Sequence, residues 1–408
     1  MASQKLHVAL VHSAWPPCET FGGIVRYLVC QAEGLRDRGH DVTVITTGSG
    51  PETTRRLEDG IRVVRLAPAP GRLPRAAALL MPLVMSARFL AEIERVGRTR
   101  PIDIVEFSNW ASEGFAHSVL RRRAHVTRIS SMGWQREHGG GEDRSRLAPI
   151  ADRWRDWTEA FPLRRSDLLF AHSAEHARVV ASRLRLPARP DAMALGSAVR
   201  ADPQAASDGA GLGGVLFVEA LSARKGFDIA VKGFALALPD LPPSTRLTVA
   251  GKDTPSGPGH SSYRAAVLAE VSEEARSRID MLDWVSDEQL SHLYRTCSLV
   301  VAPSRYESFG LPLIEAMQYG KAVISTTAGG MPEVVTDGHE GLLVRPGDAR
   351  AFASALARLV HDDALRRQPE RAASERFDRE FTQAAFAAWV EEGYRKVLLA
   401  RSSKPAGR

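Results

Sequence analysis

Short runs of consecutive apolar residues alternate along this chain with longer segments whose apolar residues recur every three or four positions. In the first half the runs are LHVALVH, DVTVITT, IRVVRLA, IDIVEF, HVTRIS and DLLFAHS, and a helix-length segment from Ile24 to Arg38 separates the first two. Strands covered on both faces read as unbroken hydrophobic runs, and their separation by helices predicts a parallel sheet with helices on either side. LHVALVH is too short for the apolar core of a secretion signal and reads as the first buried strand.

The alternation stops at RADPQAASDGAGLGG, from Arg200 to Gly214, which is rich in Ala, Gly, Asp and Pro and has no period. A linker is expected there. Its glycines at 209, 211, 213 and 214 imitate a dinucleotide fingerprint, but that motif follows a strand and opens a helix, whereas this one precedes a strand. Alternation then resumes with VLFVEAL, RLTVAG, SLVVAP, AVISTT and GLLV, so a second parallel α/β domain is expected. In the tail, Phe386, Trp389, Val390, Tyr394, Val397 and Leu398 share one helical stripe, which must dock on one of the two domains. The resulting division is 1–198, a linker at 199–213, 214–380, and a terminal helix and tail at 381–408.

Composition agrees with two cores: 408 residues exceed the span of one ordinary domain, and 44% hydrophobic with 25% charged residues is a globular balance. Cys18, Cys30 and Cys297 are odd in number and lack CxxC spacing, which points away from a disulfide framework or zinc knuckle and towards a reducing cytoplasm. The most apolar stretch, Ala76 to Ile93, is interrupted by Pro82, Arg88 and Glu92, while a membrane span needs about 20 mostly apolar residues. A formal charge of +6 favours anionic partners such as sugar diphosphates or acidic lipid headgroups, although an arginine-rich composition alone produces the same value. Nucleic acid is not expected, because no recognised module interleaves basic residues with aromatic ones.

Chemistry concentrates between Pro303 and Asp348. The run SLVVAP leads into Glu307, Ser308, Phe309 and Gly310, and Pro312 suits the first turn of a helix ending near Gly320. Such a loop lies at the carboxyl edge of the sheet, where free backbone N–H groups at a helix start receive phosphate or sugar oxygens. Gly310 lets a ligand approach closely. Glu307 and Glu315 bring two carboxylates, strong acceptors for sugar hydroxyls, to the same edge.

This segment resembles the donor-binding core of family GT4 glycosyltransferases, with an E-x7-E pair at Glu307 and Glu315. The likeness extends through LSHLYRTCSLVVAPSRYESFG before the pair and AGGMPEVV after it. It implies an α/β protein of the GT-B fold: two Rossmann-like domains facing a central cleft, acceptor side first and donor side second, with the C-terminal helix crossing back to the N-terminal domain. It also implies that Glu307 binds hydroxyls of the donor sugar, that Glu315 binds the nucleotide ribose, and that the loop and helix start at Ser308, Phe309, Gly310 and Leu311 bind the donor, with N–H groups there holding sugar and phosphate. Gly22 and Gly23 match the glycine pair that approaches the diphosphate, or else form an ordinary strand-to-helix turn. Lys225, followed by Gly226, matches the lysine that stabilises the leaving diphosphate.

The chain departs from the family in several places. Glu219 and Ala220 stand where Gly-Arg is usual, so one of two expected phosphate cations is missing and an acid stands beside its place; that acid must turn away or pair with Arg224. Ser130 replaces a histidine, Leu195 to Ser197 replace a Pro-Asn-Gly, and Asp283 replaces a glycine before the loop that meets the base. These changes spare Glu307, Glu315 and Lys225, which points to an altered enzyme rather than a dead one.

Ser130 retains a hydroxyl for a sugar contact. Glu106 within IDIVEF, and Asn109 and Trp110 just past it, are candidates for acceptor contacts or for packing. Trp134 and His138 sit in WQREHGGGED, which reads as a loop beside the cleft; no paired histidine spacing accompanies His138, so no metal is expected. Trp154, Trp157 and Phe161 recur at helical spacing and read as a core stripe before a sugar platform. Arg121, Arg122 and Arg123 read as a solvated helix end, with a membrane or acceptor-phosphate contact as the alternative.

The resemblance implies a cytoplasmic, retaining enzyme that needs no cofactor beyond its nucleotide-sugar co-substrate and acts on a small-molecule, lipid-linked or natural-product acceptor, in contact with a membrane surface or free of it. The competing readings are a degenerate protein that binds a sugar nucleotide or a partner enzyme, and a related phosphorylase or epimerase. The base, the sugar, the acceptor and the oligomeric state stay open.

Overall fold

The computed structural model describes residues 4–17, 22–69, 77–132, 135, 148–197, 214–254 and 262–403. Two compact units divide them: the first holds the described residues up to 197 and those from 383 onward, the second those from 214 to 382.

The first unit is built on β1 (His7–Val11), β2 (Asp41–Thr47), β3 (Thr54–Glu58), β4 (Ile61–Leu66), β5 (Ile104–Ser108), β6 (Ala124–Ile129), β7 (Leu168–Ala171) and β8 (Asp191–Ala192). They form one sheet in the order β3-β4-β2-β1-β5-β6-β7-β8. Every residue of β1, β5 and β6 is buried, as expected where helices cover both faces. The edge strand β3 departs from the parallel expectation by pairing antiparallel with β4. The reason is a two-residue turn: Asp59 and Gly60 both take positive φ, 46° and 80°, which suits the twist of a tight hairpin. Asp-Gly followed by an apolar run was the available signal. Exposed Arg55, Arg56 and Leu57 on β3 leave it an outer, mostly polar edge.

The last helix, Gln383–Ser402, packs on the helix Gly23–Asp37 of this same unit. Two glycines permit the close approach. A Cβ on Gly34 would lie 2.7 Å from Cβ of Ala387, and one on Gly393 would lie 2.5 Å from the Phe170 ring. Phe386, Val390, Tyr394 and Val397 are buried as the stripe requires, whereas Trp389 is 43% exposed, because it sits to the side of the line through the others.

Beneath this helix lies an ion pair inside the core. Arg128 on β6 is fully buried, and its Nε donates to Glu106 Oε1 on β5 at 2.8 Å. Glu106 Oε2 accepts from the Tyr394 hydroxyl at 2.6 Å and from the Gln31 amide at 3.1 Å. The Arg128 guanidinium stacks near the rings of Phe170, Phe386 and Tyr27. Glu106, inside the IDIVEF run, thus spends both carboxylate oxygens on Arg128, Tyr394 and Gln31, in the layer between sheet and helices.

The second unit has β9 (Gly214–Val218), β10 (Arg246–Ala250), β11 (Ile279–Leu282), β12 (Leu299–Val301), β13 (Ala322–Thr326) and β14 (Gly341–Val344), ordered β11-β10-β9-β12-β13-β14. All five pairings are parallel. The strand β11 lacked an unbroken apolar run, since IDML places Asp280 in it, paired with Arg246 of β10. Phe217, Phe227, Phe234 and Phe352 lie in the core of this unit.

Two surface readings change. Trp157 is 47% exposed and stacks on Trp154, so the aromatic positions of the helix Ala148–Leu163 lie at or near the surface rather than in a core stripe. Arg121 pairs with Asp167, and Arg123 with Glu94, which ties down the helix end. No described helix is long and apolar enough to cross a membrane, and no three His, Cys, Asp or Glu side chains among the described residues group as metal ligands.

The first unit also buries His117, His125, His172 and His176. Both ring nitrogens of His176, Nδ1 of His172 and Nε2 of His117 have no partner among the described residues. Burial, the main cause, lowers His117 and His176 from 6.5 to about 4 and takes His125 and His172 well below 6.5. The folded state therefore holds these rings neutral while the unfolded chain protonates them. Their contribution is complete above pH 6.5 and is lost as pH falls from there towards 4, by roughly 1.4 kcal/mol per pH unit for each ring. Thermal unfolding is expected to fall steeply between pH 6.5 and 4.5, and His176→Leu, which removes an unpaired ring, is expected to flatten that slope. An unchanged slope would mean that these rings do not govern acid unfolding.

Candidate functional site

In the second unit the chain visits β9, β10 and β11 on one side and then crosses to β12 on the other. The order of strands thus reverses between β9 and β12, where open α/β sheets bind ligands beyond the carboxyl ends. The loop after β9 carries Glu219, Arg224 and Lys225, and the loop after β12 carries Glu307.

Glycine brings these loops together. Gly226 caps the helix Phe227–Ala237 at φ +72°, and a Cβ there would stand 2.0 Å from the carbonyl oxygen of Pro303. The backbone of Glu307 is gripped from the other side by Gly329, where a Cβ would stand 2.0 Å from the Glu307 carbonyl, and Gly330 N–H donates to that carbonyl at 2.8 Å. A side chain at either glycine would push the loops apart.

The result is a largely buried charge cluster in which Glu307 is buried and Glu219, Arg224 and Lys225 are partly exposed. Lys225 Nζ lies 2.7 Å from Glu219 Oε2 and 2.7 Å from Glu307 Oε1. Arg224 reaches the same Glu307 Oε1 at 3.0 Å and the Tyr306 carbonyl at 3.2 Å. Glu219 was expected to turn away or to pair with Arg224. It pairs with Lys225 instead, because Arg224 is taken by Glu307. Burial alone would raise the Glu307 carboxyl, but Lys225 and Arg224 outweigh it and hold the group below its ordinary range. For Glu219 burial prevails over Lys225, and the Glu307 charge adds to it, so this carboxyl is pushed up. Burial would lower Lys225, yet Glu219 and Glu307 together raise it. The lysine is therefore charged, and one of its two partners is the easier to protonate.

Beside the cluster, Gly310 caps the helix Leu311–Gln318 at φ +104°, a conformation that favours glycine. Among the described residues, the N–H groups of Ser308, Phe309, Gly310 and Leu311 donate to no protein acceptor. Those donors sit at the positive end of the helix dipole, beside Glu307. The Phe309 side chain is buried, edge-on to Phe381, so it anchors the loop while its backbone stays free. Glu315, one turn into the helix, is buried and accepts from the Tyr294 hydroxyl at 2.7 Å. Tyr294, which stacks on Tyr319, was not singled out in the sequence; only its place in the stretch before the E-x7-E pair hinted at it. Asp283 is mostly exposed and pairs with Arg264 at 3.0 Å.

In the first unit Gly22 and Gly23 are exposed at the start of the helix that follows β1. Gly22 has φ −94°, and a Cβ on it would meet nothing within 4 Å, so neither backbone conformation nor protein packing calls for glycine there. Ser130, Asn109 and Trp110 come together beyond β5 and β6. Asn109 Oδ1 accepts from Ser130 N–H at 2.6 Å, and Ser130 Oγ is 3.4 Å from the Tyr27 hydroxyl. Asn109 and Ser130 are buried, and Trp110 is 37% exposed. Trp134, His138 and most of the loop around them lie outside the described residues, as does the linker before Gly214.

Comparison with known proteins fits both halves. Residues 22–196 match the family described as "Glycosyl transferase 4-like domain", and residues 213–376 match "Glycosyl transferases group 1". The chain belongs to the GT4 glycosyltransferases. The group 1 match spans Lys225, Glu307 and Glu315, and the 4-like match spans Gly22, Gly23 and Ser130.

Among curated relatives of this GT4 member, D-inositol 3-phosphate glycosyltransferase of Corynebacterium glutamicum is 37% identical over 45% of this chain and 43% of its own. The protein of that name from Nocardia farcinica is 34% identical over 60% of this chain and 56% of its own. The chain thus spans about half the length, or less, of these relatives. Among solved structures, a sucrose-phosphate synthase from Thermosynechococcus elongatus superimposes with a TM-score of 0.76 at 23% identity, covering 97% of this chain and 100% of that one. Anabaena HepE in complex with UDP-glucose does so with a TM-score of 0.70 at 18% identity, covering 96% and 100%. These likenesses establish the GT-B fold for this family member.

Proposed function

We propose that this chain is a retaining glycosyltransferase that moves a sugar from a nucleoside diphosphate onto a hydroxyl of a small-molecule or lipid-linked acceptor. The observation that carries this reading is the meeting of Glu307, Lys225 and Arg224 beside a helix start with free N–H donors, at the strand-order reversal of the second unit. Glu307, kept ionised by two cations, is an acceptor for donor-sugar hydroxyls. Lys225 and the N–H groups of Ser308 to Leu311 face the diphosphate, with Gly22 and Gly23 of the first unit as the family pair that approaches it. Glu315 and Tyr294 form a hydrogen-bonded acceptor for the ribose. Acceptor contacts fall to the first unit, with Ser130, Asn109, Trp110, Trp134 and His138 as candidates. The UDP-glucose in HepE and the inositol phosphate in the names of relatives make these the first donor and acceptor to try.

In the reaction the bond between the anomeric carbon and the diphosphate oxygen breaks, and its electron pair leaves with the diphosphate. The acceptor oxygen bonds to the same face of that carbon, and its proton passes to a leaving phosphate oxygen. No protein nucleophile is required. The protein contributes position and positive potential where charge develops.

Glu219 makes the charge balance of this site unusual. A diphosphate must compete with it for Lys225, which supports modest donor affinity. Titration calorimetry with UDP is expected to detect binding that Lys225→Ala weakens roughly ten- to hundredfold, in keeping with about 1.5–3 kcal/mol for a charged hydrogen bond. Glu219→Gly with Ala220→Arg is expected to tighten it. Unchanged affinity in both variants would place the diphosphate elsewhere. The same protein, given UDP-glucose and D-inositol 3-phosphate, is expected to release UDP and form an α-glycoside by NMR; an inverted product would overturn retention, and dependence on orthophosphate would indicate a phosphorylase.

A further inference from the structure

The first unit has its own reversal of strand order, between β1 and β5, because the chain runs from β1 to β2 on one side and crosses from β4 to β5 on the other. A second charged cluster stands at this point, and nothing in the donor site uses it. His12 directly follows β1, Ser108 ends β5, and Glu113 lies in the turn beyond it. Glu113 Oε2 is 3.0 Å from His12 Nδ1, and Glu113 Oε1 accepts from Ser13 N–H at 2.7 Å. Ser108 Oγ lies 3.2 Å from both His12 Nδ1 and Glu113 Oε2, and it accepts from Trp110 N–H at 3.2 Å. His12, Ser108 and Glu113 are all buried.

A carboxylate taken out of water costs several kcal/mol unless its oxygens are bonded, and here both are. That arrangement orients one imidazole. With a carboxylate at Nδ1 the proton sits on that nitrogen, and Nε2 keeps its lone pair. Nε2 has no partner among the described residues, and the His12 side chain is 6% exposed. What separates it from the buried rings with unpaired nitrogens elsewhere in this unit is its place at the carboxyl end of β1, at the strand-order reversal, with a carboxylate fixing its other nitrogen.

We propose that His12 Nε2 accepts a hydrogen bond from a hydroxyl of a polyhydroxylated acceptor, a sugar or cyclitol, bound at the carboxyl ends of β1 and β5. Glu113 is the positioning residue that sets the tautomer, and Ser108 fixes Glu113. The task is binding and not proton removal. This inference rests on the reading of the chain as a sugar transferase.

The test is nitrogen NMR of the His12 ring in the full-length protein saturated with UDP, using D-inositol 3-phosphate and methyl glucoside as probes. The ring is expected to be the Nδ1–H tautomer, and at least one probe is expected to shift its Nε2 resonance. Calorimetry is expected to find that probe bound at least tenfold more weakly by His12→Phe. Glu113→Gln, which can donate to Nδ1, is expected to populate the Nε2–H tautomer and to weaken the probe as well. An Nε2–H ring in the parent protein, or no response of Nε2 to either probe, overturns the proposal. Failure of UDP itself to bind strikes instead at the transferase reading, so the two failures are distinguishable.

Discussion

Glu307→Ala is expected to lower turnover by about 10²–10³-fold, the scale seen when one fixed electrostatic partner is removed from a reacting centre. Folding should change little, for a reason visible in the charge cluster. Without Glu307, Lys225 still has Glu219 at 2.7 Å, and Arg224 is partly exposed and can turn to water. No buried charge is left alone. Glu307→Gln preserves shape and one acceptor oxygen, so it should recover part of the loss. The measurements are steady-state kinetics on UDP-glucose turnover beside thermal unfolding of each variant. Parental turnover in Glu307→Ala would falsify the assignment, and a melting temperature collapsing together with activity would reduce Glu307 to a structural residue.

Glu106→Ala is expected to have the largest effect on stability, about 3–5 kcal/mol, because it strands a buried charge. Arg128 is fully buried, and Glu106 is its ion-pair partner. The same carboxylate holds the Tyr394 hydroxyl, so the seat of the last helix loosens with it. Replacing both members, Glu106→Leu with Arg128→Met, should restore most of the stability, since a buried ion pair and a packed apolar pair are often nearly equivalent. Urea unfolding with the slope held constant tests both variants. A loss below about 1 kcal/mol for Glu106→Ala would mean that water reaches Arg128 when its partner is gone.

These two glutamates show where reading the chain succeeds and where it stops. Both belong to the stretch of a hydrophobic strand or its following loop, Glu106 inside β5 and Glu307 in the loop after β12. Glu307 was recognisable because its partners in the motif are local: Gly310 and Glu315 stand three and eight residues away, and the helix start they share depends on neighbouring backbone. Glu106 was ambiguous because its partners are remote. Arg128 is on the neighbouring strand, 22 residues on, and Tyr394 arrives on a helix 288 residues later. An isolated glutamate does not say which face of its strand will be covered by such a helix.

The amino-acid sequence by itself determined the alternation of buried strands and helices, the presence of two α/β units and the family, since each rests on periodicity or on contiguous motifs that every chain segment carries with it. Only the tertiary structure decided which charges meet. It gave Lys225 to Glu219 as well as to Glu307, sent Arg224 to Glu307, left Trp157 at the surface and joined His12 to Glu113 across 101 residues. Ion pairs and buried hydrogen bonds act over about 3 Å, and their free energy depends on burial at the place where the chain returns to itself. That return is fixed by strand order and by close backbone approaches such as those at Gly226 and Gly329, where the packing leaves no room for a side chain.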